Sequence, residues 1–305
     1  MIIAVFPGQG SQSPGFLAPW IELEGARERL EQYSELAQVD LVAAGTEWDA
    51  DRIRDTDVAQ PLIVAASLLS YDALTREGLR PAGVAGHSVG EIAALTAAGV
   101  IDAGDAMRLV GLRGRAMADA ATREQTGMSA VLGGDEDAVA ARLSELDLTP
   151  ANYNGGGQIV AAGALDGLAA LAAEPVRATR VVPLQVAGAF HTRYMAPAVD
   201  ALGAAAAATT AQDPALTLWS NRDGAVVTDG RDALDRLVAQ VASTVRWDLC
   251  MDSFAEHGVT GIVELAPAGT LVGLAKRALR GIPSVAVKTP DDLVAASALI
   301  SGGAA

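Results

Sequence analysis

The sequence predicts an α/β fold in which a parallel sheet carries helices on both faces. Short apolar runs, several of them β-branched, alternate with segments of helical periodicity, and this order is expected of parallel strands joined by helices. The strands are predicted at residues 2–6, 84–86, 216–220, 261–265 and 284–287. The clearest helices between them are predicted at residues 61–75, 91–98 and 105–121.

The middle of the chain has a different order. Strands are predicted at 128–132, 151–153, 158–162 and 180–186, with helices at 135–146 and 165–173. This β-α-β-β-α-β order is the ferredoxin-like pattern. We therefore expect a small ferredoxin-like subdomain at residues 125–190, inserted into a large α/β subdomain formed by residues 1–124 and 191–305. The cleft between the two is the expected functional site.

Composition narrows the function classes. The 305 residues are 50% hydrophobic and 19% charged, with a net charge of −15. So acidic a chain is a poor general binder of nucleic acid, because phosphates must be neutralised by Lys and Arg. We find neither a signal peptide nor an apolar stretch that predicts a membrane span. The single Cys250 cannot form an internal disulfide, so a reducing, cytoplasmic setting is expected.

A G-x-S-x-G sequence at residues 86–90 is the first chemical signal. It follows a predicted strand and precedes a predicted helix, which is the context of a nucleophile elbow. The two glycines permit a sharp turn that exposes the Ser88 hydroxyl at the start of the helix. Free N–H groups at this helix end can stabilise a developing anion. Ser88 is therefore the predicted nucleophile, although an ordinary glycine-rich joint would have the same pattern.

The general base must be one of three histidines. His87 adjoins Ser88 on an extended segment, so its side chain is expected to point to the opposite side. His257 precedes a glycine at the end of an amphipathic helix and is interpreted as a cap. His191 follows the last strand of the small subdomain, where the chain returns to the cleft, so it is the predicted base. No carboxylate stands out as its partner, and we expect a Ser–His pair oriented by a backbone carbonyl.

Arg113 is predicted to point into the protein. In the helix at 105–121, it falls in the middle of an apolar arc made of Leu109, Val110, Ala116, Met117 and Ala120. A buried guanidinium needs an anionic partner. Two interpretations remain open from the pattern: a fixed ion pair, for example with Glu91, or a clamp for a substrate carboxylate.

Four motifs then resemble one family. They are Phe-Pro-Gly-Gln-Gly-Ser-Gln at 6–12, Gly-His-Ser-Val-Gly-Glu at 86–91, Leu-Arg-Gly-Arg-Ala-Met at 112–117 and Gly-Ala-Phe-His at 188–191. The chain resembles the malonyl-coenzyme A:acyl carrier protein transacylases of fatty acid and polyketide synthesis along nearly its whole length. The resemblance implies an α/β-hydrolase-like large subdomain with a ferredoxin-like insert.

The resemblance also implies roles for individual residues. Ser88 would carry the malonyl group in a ping-pong transfer, with His191 as its base and Arg113 on the malonyl carboxylate. Backbone N–H groups of Gln9 and Val89 would form the oxyanion hole. It implies malonyl-coenzyme A and an acyl carrier protein as partners, and no metal or redox cofactor is required.

Further expectations follow from the same resemblance. Gln240 aligns with a residue whose carbonyl holds the histidine. Phe190 before the histidine, with Val89 after the nucleophile, is typical of malonyl rather than methylmalonyl selection. An acidic carrier protein would need a basic patch on this acidic chain, and the candidates are Lys276, Arg277 and Arg280 together, and Arg193. A monomer is expected, because no long apolar seam is left over.

Two other functions remain possible from the pattern. A serine esterase or thioesterase would use the same elbow, although the inward Arg113 and the missing acid argue against it. A non-catalytic subunit would use the cleft only to dock partners, which the presence of Ser88, His191 and Arg113 disfavours. The pathway, fatty acid or polyketide, is left open.

Overall fold

The computed structural model describes residues 1–76 and 78–302, and this part of the chain forms two sheets surrounded by helices. The strands in chain order are β1 (Ile2–Phe6), β2 (Gly83–Gly86), β3 (Thr126–Gly133), β4 (Thr149–Gly155), β5 (Gln158–Ala164), β6 (Thr179–Pro183), β7 (Thr217–Trp219), β8 (Val226–Val227), β9 (Val245–Arg246), β10 (Gly261–Glu264) and β11 (Ser284–Ala286). The helices are α1 (Ala26–Ala37), α2 (Leu41–Thr46), α3 (Thr56–Thr75), α4 (Gly90–Ala97), α5 (Ala103–Ala121), α6 (Glu136–Glu145), α7 (Leu165–Ala173), α8 (Ala196–Ala208), α9 (Gly230–Gln240), α10 (Trp247–Glu256), α11 (Thr270–Ala278) and α12 (Leu293–Ile300).

The first sheet has the strand order β11-β10-β1-β2-β7-β8. Its first five strands are parallel, as predicted, and each of the five predicted strands is present. The edge strand β8 was not predicted, and it runs antiparallel to β7. The reason is the connection: a short turn, closed by a hydrogen bond from the Ser220 N–H to the Ala225 carbonyl, reverses the chain.

Side chains of β1 alternate between two cores, which explains the helices on both faces. Ile3 and Val5 pack with residues of α10 and α11, whereas Ala4 and Phe6 pack with residues of α3, α4 and α5. All four side chains are at most 1% exposed. A strand with both faces buried has no polar alternation, so its short continuous apolar run is the sequence signal of a central parallel strand.

The second sheet has the strand order β6-β3-β5-β4-β9. Its first four strands and the helices α6 and α7 follow the predicted β-α-β-β-α-β order. The short β9, from the later part of the chain, adds a parallel edge beside β4 and was not predicted. Along β5, Ile159 and Ala161 pack in a core with α6 and α7, whereas Val160 and Ala162 face the main core. The two sheets are therefore joined by a shared apolar layer.

Several helix bounds differ from the prediction. Helix α3 begins at Thr56 rather than at residue 61, and Pro61 lies inside it. The prediction placed proline at the helix start, where its missing N–H costs least, but one further turn precedes it here. Helices α1 and α2 were not predicted at all.

Helix α3 is long enough and apolar enough to cross a membrane, judged by its length and composition. However, 83% of its apolar window is buried inside the structure, as in the core helix of a globular protein.

Candidate active site

A sharp turn between β2 and α4 presents Ser88. Its backbone has φ 53°, in the left-handed region that non-glycine residues rarely adopt. A Cβ atom on Gly86 would lie 2.1 Å from the Gly90 carbonyl carbon, and one on Gly90 would lie 2.2 Å from the Phe6 oxygen. Both glycines are thus required by close backbone approach, as the elbow interpretation of the G-x-S-x-G sequence expects.

Asn221 holds this turn from the neighbouring strand. Its Oδ1 accepts a hydrogen bond from the Ser88 N–H at 2.8 Å, and its Nδ2 donates to the Gly86 carbonyl at 2.7 Å. The side chain is fully buried. Sequence reasoning missed Asn221. The available signal was its position directly after the predicted strand at 216–220, because the carboxyl ends of neighbouring parallel strands meet at one sheet edge.

The structure brings Ser88 and His191 together although 103 residues separate them. The Ser88 Oγ lies 2.8 Å from His191 Nε2, and His191 Nδ1 lies 2.8 Å from the backbone oxygen of Gln240. Because a carbonyl oxygen can only accept, Nδ1 carries the proton and Nε2 is free to accept from the Ser88 hydroxyl. Burial, followed by the field of Arg113, lowers the pKa of His191 to about 3, although the bond to Gln240 opposes this. The imidazole is therefore neutral at pH 7.

The other two histidines have local partners. His257 ends α10, and its Nδ1 lies 2.8 Å from the Ser253 carbonyl. His87 was expected to point to the opposite side from Ser88. Its Nε2 lies 2.9 Å from Asn154 Oδ1 and its ring packs edge-on against Trp247, whereas the Ser88 Oγ meets His191. His87 therefore has its own partners, as the supporting role expects.

Arg113 is buried beside this pair, with 1% of its surface exposed. Its Nη1 donates to Gln60 Oε1 at 2.6 Å and its Nη2 donates to Gln240 Oε1 at 3.0 Å. Its Nε has no hydrogen-bond partner in the described part of the chain. Burial lowers the pKa of Arg113 to about 10, with the field of Glu91 opposing. Even so, the guanidinium is charged at pH 7.

The ion pair that the pattern left open is not formed. Within residues 1–76 and 78–302, no carboxylate lies within 4.0 Å of the Arg113 guanidinium, and Glu91 instead accepts from Asn221 and Gln240. A buried cation that contacts only neutral amide oxygens still has donor capacity for an anion. Gln240, expected only to hold the histidine, contacts both His191 and Arg113.

These groups meet in a cavity of about 470 Å³ between the two sheets. The predicted site residues that line it are Gln9, Ser88, Val89, Arg113, Phe190 and His191. Gln240 lies behind this lining. Met117, Met128, Val160 and Leu184 form much of the apolar wall. Within the described residues no group of three His, Cys, Asp or Glu side chains could hold a metal ion.

The two residues whose N–H groups are expected to form an oxyanion hole both line the cavity. Val89 precedes the first residue of α4, where backbone N–H groups have no intrahelical partner. Gln9 lies in the loop after β1, and its side chain is held by the Arg54 carbonyl at 3.3 Å. Across the described chain, neither N–H donates a hydrogen bond. Both are therefore available to an anion.

The two basic patches expected to meet a partner differ in the structure. Lys276, Arg277 and Arg280 are exposed at the end of α11, and Arg277 also lines the cavity and donates to Gln158 Oε1 at 3.2 Å. Arg193 lies outside the cavity lining and donates to the Asp147 carboxylate at 2.5 Å. Only the first patch therefore combines exposed cations with the cavity mouth.

The arrangement of a strained serine, a neutral histidine and unbonded N–H groups at a helix start defines the class of serine-nucleophile enzymes. The model of the acyl transferase domain family matches residues 4–290. The chain belongs to this family, and within it to the malonyl CoA-acyl carrier protein transacylases. The malonyl CoA-acyl carrier protein transacylase of Mycobacterium bovis is 55% identical over 296 residues, covering 96% of this chain and 98% of that protein.

Other relatives agree. The Escherichia coli K12 enzyme of the same name is 34% identical, covering 96% of this chain and 97% of its own. The crystal structure of MCAT from Mycobacterium tuberculosis has a TM-score of 0.94 at 54% identity and covers 97% of this chain and 100% of that one. A malonyl-transacylase in complex with a type II PKS acyl-carrier protein has a TM-score of 0.90 at 30% identity, covering 97% and 98%.

Proposed function

We propose that this chain transfers a malonyl group from coenzyme A to the thiol of an acyl carrier protein through an ester on Ser88. One observation carries the choice of acyl group: Arg113 is a buried cation beside the Ser88–His191 pair with no carboxylate partner among the described residues. An acyl chain that ends in a carboxylate would supply that partner. The names of the relatives agree with this substrate.

In the first half-reaction, His191 Nε2 takes the proton of the Ser88 hydroxyl while its oxygen attacks the thioester carbonyl. The tetrahedral oxyanion is bound by the N–H groups of Gln9 and Val89, each contributing roughly 3 kcal/mol to lowering the barrier. The intermediate then collapses, the carbon–sulfur bond breaks, and His191 returns its proton to the leaving sulfur. The hydrogen bond to Gln240 keeps the ring in the required tautomer throughout.

In the second half-reaction, the pantetheine thiol of the carrier protein enters the vacated cavity. His191 accepts the thiol proton while the sulfur attacks the ester carbonyl. The carbon–oxygen bond to Ser88 then breaks, and the proton returns to the Ser88 oxygen. No step requires a metal or redox cofactor. Transfer is favoured over hydrolysis when the acyl group is pinned at Arg113 and the cavity is filled by the acceptor, since both limit the room for water.

The finer architecture belongs to the same proposal. We infer an α/β-hydrolase-like subdomain of residues 1–124 and 191–305 with a ferredoxin-like insert at 125–190. The strand order of the second sheet supports the insert. We further infer that the protein is a cytoplasmic monomer that acts on malonyl-coenzyme A and a carrier protein, and that it binds neither nucleic acid nor membranes. The net charge of −15 supports the exclusion of nucleic acid.

The proposal is tested by intact mass after mixing the protein with malonyl-coenzyme A. One malonyl mass should be added, Ser88→Ala should abolish the adduct, and the exposed Ser144→Ala should leave it unchanged. An adduct that persists in Ser88→Ala would assign the nucleophile elsewhere. If the adduct disappears within seconds without an acceptor thiol, the chain acts as a thioesterase, which contradicts the proposed transfer.

A further inference from the structure

Glu91 is a buried carboxylate next to the site that the proposed reaction does not use. It lies in the first turn of α4, three residues after Ser88, and is 4% exposed. In the described part of the chain, no Lys or Arg nitrogen lies within 4.0 Å of it. A buried, unpaired carboxylate lowers the stability of the fold unless hydrogen bonds compensate for its lost hydration. The hydrogen bonds of Glu91 therefore indicate what the residue does.

Both carboxylate oxygens of Glu91 accept hydrogen bonds. The Asn221 N–H donates to Oε1 at 2.7 Å, and the Gln240 side-chain amide donates to Oε2 at 2.5 Å. Burial raises the pKa of Glu91 to about 7, while the bond from Asn221 and the field of Arg113 oppose the shift. Glu91 thus connects the residue that holds the elbow with the residue that contacts both His191 and Arg113.

The orientation of the Gln240 amide follows from these neighbours. Its Nε2 faces the Glu91 carboxylate and its Oε1 accepts from Arg113 Nη2 at 3.0 Å. The flipped amide would place its NH₂ against the guanidinium and its oxygen against the carboxylate, so both contacts would be repulsive. The Asn221 Oδ1 at 3.1 Å and the Ser88 carbonyl at 3.3 Å also accept from Nε2, but the shortest contact, at 2.5 Å, is with Glu91. Glu91 and Arg113 are therefore the charged groups that select this amide orientation.

We propose that Glu91 is a positioning residue, which holds the Gln240 amide with its oxygen toward Arg113 and so sets the guanidinium for the acyl carboxylate. The inference rests on the proposed malonyl transfer. The ionised form of Glu91 fits this role because it only accepts, so the role is fullest above its pKa of about 7. An amide in its place would offer one acceptor and one donor to two donors, the Asn221 N–H and the Gln240 NH₂.

The predicted consequence is selective for the charged acyl group. In Glu91→Gln, the new side-chain NH₂ at position 91 would face the NH₂ of Gln240. A flip of the Gln240 amide removes this contact between two donors, but its NH₂ then faces Arg113. The backbone carbonyl of Gln240, which holds His191, is unaffected by this flip. Handling of the acyl carboxylate should therefore suffer more than the reactivity of Ser88.

The test compares acylation by malonyl-coenzyme A and by acetyl-coenzyme A, which lacks the carboxylate, followed by intact mass in single turnovers. For Glu91→Gln we expect the concentration of malonyl-coenzyme A that half-saturates the acylation rate to rise about tenfold or more, and the rate of acetylation to change less than about threefold. Glu136→Gln removes an exposed first-turn glutamate from α6 and is the matched control, with no expected change. Equal losses for both substrates would make Glu91 merely structural and overturn the proposal.

A double-mutant cycle tests whether Glu91 acts through Gln240. Gln240→Leu keeps the backbone carbonyl and should lower the malonyl-to-acetyl ratio by itself, and adding Glu91→Gln should then lower it no further. An additive loss contradicts the proposal. If Glu91→Gln does not fold, Gln240→Leu decides alone, and an unchanged ratio overturns the inference. Malonylation of the unaltered protein tests the proposed function separately, so the two failures are distinguishable.

Discussion

Arg113→Ala is the change that most directly tests the choice of substrate. With Arg113 present, two charge-assisted hydrogen bonds to the acyl carboxylate contribute about 3 to 4 kcal/mol to transition-state binding. We therefore expect kcat/KM for malonyl-coenzyme A to fall roughly 150- to 700-fold. Acetyl-coenzyme A has no carboxylate to lose, so its kcat/KM should change little or increase.

The same substitution should cost little stability. Burial lowers the pKa of Arg113 from 12.5 to about 10, so the folded protein disfavours the charge by roughly 3 kcal/mol. Removing the charge relieves this cost. The amide oxygens of Gln60 and Gln240 lose a hydrogen-bond donor, which opposes this gain. Water from the adjoining cavity can replace Arg113 as the donor. We expect the melting temperature to stay within a few degrees.

The assay is steady-state transfer to free pantetheine from each acyl-coenzyme A, with thermal unfolding measured in parallel. Arg108→Ala is the matched control, because Arg108 lies on the exposed face of the same helix α5 and, among the described residues, pairs with Asp105 alone. A similar loss for malonyl and acetyl groups, or a large fall in the melting temperature, would show that Arg113 is a structural ion rather than a clamp. The reasoning from its unpaired donors would then be refuted.

Two further predictions concern selection of the acyl group and of the partner. Phe190 is 6% exposed and lines the cavity, so Phe190→Ser should open space for an α-methyl group. The barrier to methylmalonyl transfer should fall by about 1 to 3 kcal/mol relative to that of malonyl transfer. Unchanged relative rates of the two transfers contradict this prediction. Reversing Lys276, Arg277 and Arg280 to Glu should reduce transfer to the carrier protein in a salt-sensitive way, with free pantetheine as the control acceptor. If both acceptors react as before, the patch has no part in docking.

The strands of the first sheet and the order of the second could be predicted because their signals are local. A buried strand such as β1 is a short apolar run, and the turn before α4 is marked by glycines at positions 86 and 90 between a predicted strand and a predicted helix. The β8 edge and β9 could not be predicted. Each has two residues, too few for a period to show. Strand β8 forms by a turn back onto β7, and β9 forms because β4, distant in sequence, offers it hydrogen bonds.

The sequence by itself determined which residue types carry the chemistry. Helical periodicity placed Arg113 on an apolar face, and the elbow pattern singled out Ser88, because both follow from backbone geometry within a few residues. Only the tertiary structure decided their partners. Gln240 lies 152 residues from Ser88 and 127 from Arg113, and it meets both of them, together with Glu91, at one sheet edge. A glutamine has no local sequence signature for such a role, because the role depends on which charged groups the fold places beside its amide oxygen and its amide nitrogen.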